Sequence, residues 1–163
     1  MKKRAYLDIE TTGLSRDYCD ITVIGIGREY GAKVEVVQLV APDISASKLM
    51  RALDGVEEIY TYNGSRFDVP FIREKLDIDL RTELVHTDLM YACWKHNLMG
   101  GLKAVEQRLG IKRKLTGING YMAVKLWWQY CNENDHQALK TLLKYNEEDV
   151  VILRGLRQKL HIP

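Results

Sequence analysis

Asp8 and Glu10 are separated by a single residue in a stretch, RAYLDIE, that alternates and favours extended backbone. Residues two apart on a strand point to one face, so two carboxylates would stand side by side at a strand's carboxyl end. Like charges this close repel, and each carboxylate loses hydration on burial. A divalent cation that prefers oxygen ligands would relieve both costs. A solvated pair at a strand end is the alternative, and a D-x-E alone is a weak motif. Asp68 closes the stretch Tyr62-Asn63-Gly64-Ser65-Arg66-Phe67-Asp68, where a buried strand gives way to a helix. There an acidic residue is also accounted for by the helix dipole. Asp149 ends Tyr145-Asn146-Glu147-Glu148-Asp149 and precedes the apolar run Val150, Val151, Ile152, Leu153. Tyr145 and Asp149 are four apart and share a helix face. Glu147 and Glu148 point elsewhere and are read as solvated. An Asp entering a buried stretch needs a hydrogen bond or a metal; a helix-surface Asp is the competing reading.

The elements that position these residues follow from pattern. Arg4–Ile9, Ile21–Arg28 and Lys33–Val40 are β-prone runs, the last two joined through Tyr30-Gly31-Ala32, a turn short enough for a hairpin. Ser45 caps a helix to about Asp54, with Gly55 as its stop. Glu58–Tyr62 reads as a buried strand ended by Asn63-Gly64. Phe67–Leu76 has helical spacing, with Pro70 tolerated in its first turn. Leu84–Thr87 is a fifth strand. Helices are expected around Leu89–Lys95, Leu102–Leu109 and Ala123–Cys131, and a long one over Gln137–Leu160 with a kink near Tyr145-Asn146. Three strands joined by short loops are antiparallel neighbours, and a strand returning through a helix is parallel to the first. The expectation is an α/β fold: a mixed five-stranded sheet flanked by helices, in a single domain over residues 1–163.

Taken together, the segments resemble the DEDD exonucleases, a family with a ribonuclease H-like fold. DIETTGL at Asp8–Leu14 resembles the first motif, YNGSRFD at Tyr62–Asp68 the second and YNEED at Tyr145–Asp149 the third. The Y-x-x-x-D form of the third points to the tyrosine subfamily; in the histidine subfamily a His stands where this chain has Lys144. GGLKAVEQRLGI at Gly100–Ile111 is similar to a segment of bacterial and archaeal ribonuclease H-like proteins. The motifs occur in the family's order, and the resemblance spans almost the whole chain.

The resemblance implies a 3′-to-5′ exonuclease that hydrolyses phosphodiester bonds at single-stranded DNA or RNA ends, with two divalent cations, Mg2+ or Mn2+. Such a pair, roughly 3.5–4 Å apart, activates a water and stabilises the leaving oxygen. By resemblance, Asp8 bridges the cations, Glu10 and Asp149 complete one shell, and Asp68 serves the other. Tyr145 orients the attacking water; a phenol with an ordinary pKa near 10 suits positioning better than proton abstraction. Thr11 and Leu14 fall where the family grips the terminal nucleotide. Asn63 is a further strand contact, and Phe67 packs beneath the site or under a base, a core aromatic being the plainer reading. An endo-acting or structure-specific nuclease on the same metal core is the alternative function, since a fold does not decide where a strand is cut. A non-catalytic nucleic-acid-binding protein is the third.

Other features are read more plainly. His86-Thr87-Asp88 tempts as a metal pair, but adjacent strand residues face different ways, and Asp88 suits a helix cap. Trp94, Trp127 and Trp128 fall at helical spacing and are expected in the core, with base stacking the alternative. Lys112-Arg113-Lys114 is either a phosphate contact or a solvated loop, and Lys2, Lys3 and Arg4 either steer nucleic acid or fray. The 24 Lys and Arg against 22 Asp and Glu leave +2, which neither demands nor excludes a polyanion. Cys19, Cys93 and Cys131 form no C-x-x-C pair, so no zinc site or disulfide framework is suggested. The basic start reaches Asp8 too soon for a secretory signal, and no window is apolar enough to span a bilayer. A cytoplasmic setting without a membrane partner is expected. DNA or RNA preference and oligomeric state are not written in the pattern.

Overall fold

The computed structural model describes residues 3–163; the reading of Lys2 lies outside them. The chain runs β1 (Arg4–Thr11), β2 (Ile21–Tyr30), β3 (Lys33–Val40), α1 (Ala46–Ala52), β4 (Glu58–Thr61), α2 (Asp68–Leu76), α3 (Leu80–Glu83), β5 (Val85–Asp88), α4 (Leu89–Lys95), α5 (Leu102–Arg108), α6 (Gly120–Glu133) and α7 (His136–Lys159). The strands form one sheet in the order β3-β2-β1-β4-β5. The pairs β1–β2 and β2–β3 are antiparallel, and β1–β4 and β4–β5 are parallel. This is the mixed five-stranded sheet that the strand pattern predicts, and the ribonuclease H-like arrangement that the resemblance implies.

Alternation along β1 divides its side chains between two layers. Ala5, Leu7 and Ile9 join Leu49 and Leu53 of α1 and Phe71 and Ile72 of α2 in one core. Tyr6 joins Val150, Leu153 and Leu156 of α7 in another. Asp8 and Glu10 share the parity of Tyr6, so they face the layer of α7. Gly25 and Gly27 of β2 stand opposite Asp8 and Tyr6 in the register. A Cβ at either would press into α7, 2.8 Å from Val150 Cγ2 at Gly25 and 2.6 Å from Val150 Cγ1 at Gly27. The two glycines thus let the long helix lie close on the sheet, which brings its acidic residue down to β1.

Caps fix the helix starts. Asp135 accepts from Gln137 and Ala138 N–H at the head of α7, and Asn119 from Met122 N–H at the head of α6. Asp88 accepts from Met90 N–H at the head of α4, as its sequence position predicts. Two expectations are corrected, and one short helix was not expected. Helix α7 runs unbroken through Tyr145 and Asn146, because Asn146 spends its side chain on the sheet and does not compete for its own backbone. Helix α6 starts at Gly120, ahead of the apolar spacing, because Asn119 caps it there. The short α3 was invisible to periodicity; Asp79 caps it and pairs with Arg81. Lys3 does not fray: its carbonyl accepts from Glu57 N–H and Glu58 N–H. Among the described residues no helix is long and apolar enough to cross a membrane.

Candidate metal centre

Three of the four sequence-selected acids converge in one cluster. Carboxylate oxygens of Asp8, Glu10 and Asp149 all lie within 4.8 Å of one another. Two come from one face of β1 and the third from α7, remote in sequence but docked across the glycine-lined stretch of β2. The ladder shifts register between Glu10 and Thr11, a bulge of the kind that re-aims side chains at the end of a strand. Asp68 reaches the same strand from α2. Its Oδ1 accepts from Ile9 N–H at 2.9 Å, beyond Tyr6, the last β1 residue paired with β4. That bond fixes Asp68 beside the triplet, and its charge acts on both Asp8 and Glu10.

The electrostatics are those of a crowded acidic site that Arg113 and Lys103 compensate only in part. Burial, then the charges of Asp149, Glu10 and Asp68, hold the Asp8 carboxyl well above the usual range. Burial, then Asp149 and Asp68, does the same to Glu10. Burial pushes Asp68 up to about 7 against the opposing Ile9 N–H bond. Burial pushes Asp149 up to about 6 although the Arg113 guanidinium pulls it down. Asp149 Oδ1 is buried without an aligned hydrogen bond; Arg113 Nη1 lies 2.6 Å away, an ion pair out of hydrogen-bonding alignment. Three crowded carboxylates whose oxygens converge are the kind of donor set that a hard divalent cation takes.

A family described as the RNase_H superfamily matches the chain over residues 5–161. The chain belongs to that superfamily. The RNase_H fold recurs in solved structures that share under a quarter of its residues. The family B DNA polymerase of Pyrobaculum calidifontis superposes with a TM-score of 0.74 at 18% identity, over 99% of this chain and 25% of that one. Brucella melitensis NrnC with bound Mg2+ superposes with a TM-score of 0.67 at 20% identity, over 99% of this chain and 73% of that one. NrnC bound to pGG gives 0.63 at 20% identity, covering 99% and 72%. In sequence the chain is 31% identical to the uncharacterized protein YprB of Bacillus subtilis (strain 168) across 93% of its own length, and spans 40% of that protein.

Within this RNase_H domain, Tyr145 is buried beside the cluster, and burial and the charges of Asp149, Glu10 and Asp8 raise its phenol, so it stays protonated at neutral pH. Lys103 Nζ donates to Tyr145 Oη at 3.1 Å and to Ile118 O, and lies 4.8 Å from the centre of the Tyr145 ring. With its oxygen accepting from Lys103, the phenol is free to direct its proton elsewhere. Thr11 is buried, its hydroxyl donating to Gly13 O at 2.6 Å. Leu14 is 88% exposed on the loop that follows β1. Asn63 sits at φ 60° with its N–H on Asp88, and Phe67 is half-buried against the α2 core, 5.3 Å from the Phe71 ring.

Several participants were missed or misread in the sequence. Arg113, read as one of three loop cations, has a side chain only 9% exposed; it pairs with Glu106 at 3.0 and 2.5 Å as well as with Asp149. A lone Arg in a basic run carries no mark of this, though a Glu seven residues earlier on an apolar helix is a signal. Glu148, read as solvated, accepts from Lys114 and Leu115 N–H and pins that loop to α7. Trp127 is buried as expected, but Trp128 is 46% exposed. Asp88 does more than cap α4: it also accepts from Asn63 and Ser65 N–H, which holds the turn leading into Asp68. His86 bonds Thr61 Oγ1 at 2.8 Å.

Proposed function

We propose that this chain is a metal-dependent 3′-to-5′ exonuclease of the DEDD type, tyrosine subfamily, acting on single-stranded DNA or RNA ends. The observation that carries this reading is the approach of Asp8, Glu10 and Asp149 within 4.8 Å, with Asp68 and Tyr145 alongside. Asp8, Glu10, Asp68 and Asp149 are the groups that would hold two divalent cations, Mg2+ or Mn2+. Bound there, such cations supply an activated water and charge stabilisation for the leaving oxygen. The superposition on NrnC with bound Mg2+ and on NrnC bound to pGG supports a nuclease setting for this fold.

The side chains divide the remaining work. Tyr145, protonated and braced by Lys103, orients the attacking water through its hydroxyl. The Lys103 ammonium and Arg113 guanidinium add positive charge at the rim, where a phosphodiester carries its negative charge. Asp68, anchored on Ile9 N–H, holds its place without a cation, so the second half of the site is preorganised. The exposed Leu14 is placed to wedge against a terminal base, and the backbone near Thr11 to bond a 3′ hydroxyl; Asn63 and Phe67 would line the strand's path. Residues 1–163 act in this reading as one domain. The thiols of Cys19, Cys93 and Cys131 are free, which suits a reducing compartment, and the cytoplasm is the setting proposed.

The test is digestion of 5′-labelled single-stranded DNA and RNA with Mg2+, Mn2+ or chelator. A ladder shortening from the 3′ end, lost in chelator, is expected. Internal cuts or degradation of a circular strand would replace the exonuclease by an endonuclease. Tight binding without metal-dependent loss of label would remove catalysis from the account.

A further inference from the structure

Asp8, Gly25 and Gln38 stand in one row across three adjacent strands, Asp8 opposite Gly25 and Gly25 opposite Gln38. The middle position has no side chain, and Asn146 of α7 fills the gap. Asn146 is fully buried. Its Nδ2 donates to Asp8 O at 3.1 Å and to Asp8 Oδ2 at 3.0 Å. Its Oδ1 accepts from Gln38 Nε2 at 2.9 Å, and the same Nε2 donates to Leu143 O at 2.8 Å. A Cβ on Gly25 would overlap the Asn146 carboxamide. Both ends of that carboxamide are thus engaged, and its orientation is set by Gln38: reversed, it would place an oxygen against the Asp8 carboxylate and an NH2 against the Gln38 NH2.

We propose that Asn146, oriented by Gln38 across the Gly25 gap, is the positioning residue that locks the Asp8 carboxylate in its cation-binding orientation. The inference deepens the functional reading and rests on Asp8 being a cation ligand. Asn146 takes Oδ2 and the backbone carbonyl of the same residue, so it fixes both the rotamer of Asp8 and its place on the strand. A carboxylate oxygen of Asp8 still lies within 4.8 Å of those of Glu10 and Asp149. Groups that orient a ligand in this way typically change metal affinity by about 10- to 100-fold when removed. Within YNEED, Asn146 thus has a part distinct from Tyr145 and Asp149, which turn to the cluster directly.

The experiment is calorimetric titration of Mn2+ into the intact chain without nucleic acid, for wild type, Asn146→Leu and Gln38→Leu. Leu keeps the approximate shape of either side chain and removes its polar ends. Asn146→Leu is expected to weaken Mn2+ binding by about 10- to 100-fold, and Gln38→Leu, which frees the amide to reverse, by a smaller factor. Affinities within twofold of wild type in both variants overturn the inference. So does a lower melting temperature with unchanged affinity, which would assign Asn146 to packing alone. Should Asn146→Leu not fold, Gln38→Leu decides, because Gln38 is only half-buried at the sheet edge and touches neither Asp8 nor the cluster. Failure of the wild type to bind Mn2+ would overturn the metal reading and this inference with it. Wild-type binding with unaltered variants overturns this inference alone.

Discussion

At the scale of single residues, the account turns on carboxylates that the fold has made uncomfortable. Asp8→Ala and Asp149→Ala are expected to retain the fold and lose cleavage to background in a 5′-label assay. Tyr145→Phe removes only the hydroxyl that orients water, and is expected to slow single-turnover cleavage by about 100-fold, the lower end of the acid–base range. A pH dependence follows from the same groups. Asp68 is raised to about 7 and Asp149 to about 6 from an ordinary value of 3.8. For an acid raised on folding, the folded state binds the proton more tightly, so stability is greatest below the unfolded pKa and is lost as pH rises through the folded one. In chelator, the melting temperature should therefore fall between about pH 4 and pH 7, and excess Mn2+ should abolish the fall at neutral pH. A chelated protein equally stable across that window would show that the cluster carries no such strain. The four acids and Tyr145 were legible because charge beside apolar sequence is conspicuous, and the ordered motifs reinforced them. Arg113 and Asn146 were not, because what matters in each is a partner that only the tertiary structure supplies.

At the scale of elements, β1 presents two acids, α7 delivers the third, and α2 brings Asp68 onto Ile9. Asp88 secures the last of these by holding the N–H groups of Asn63 and Ser65 as well as capping α4. Asp88→Ala leaves those donors without their acceptor and should cost about 1–3 kcal/mol in urea unfolding. It should also reduce cleavage without Asp88 touching substrate, through the displaced turn into Asp68. Gly27→Val would drive a branched side chain into Val150 and Val34 and should destabilise by about 1–3 kcal/mol. Strand number and direction were readable from run lengths and the short β2–β3 turn, and they agree with the observed sheet, whose order the structure supplies. The start of α6, the short α3 and the uninterrupted course of α7 were not. Each depends on a single cap or side-chain contact, Asn119, Asp79 or Asn146, that leaves no trace in hydrophobic spacing.

At the scale of the whole molecule, the sheet separates two apolar layers and keeps the acidic cluster at the carboxyl end of its central strand. A cation that binds only the folded chain stabilises it by mass action, by about 2.7 kcal/mol at 100 times its dissociation constant. For a chain of 163 residues that corresponds to a rise of roughly 5–10 °C in melting temperature on adding Mg2+ or Mn2+ to chelated protein. The rise should vanish in Asp8→Ala. The chain spans 40% of the length of YprB, so substrates chosen by that whole protein are a separate matter from the hydrolytic core proposed here. The core itself is tested most directly by anomalous scattering from crystals grown with Mn2+. The account predicts Mn2+ peaks enclosed by oxygens of Asp8, Glu10 and Asp149, with Asp68 beside them. Crystals of metal-saturated protein with no peak there, or with peaks only at surface acids, would contradict it.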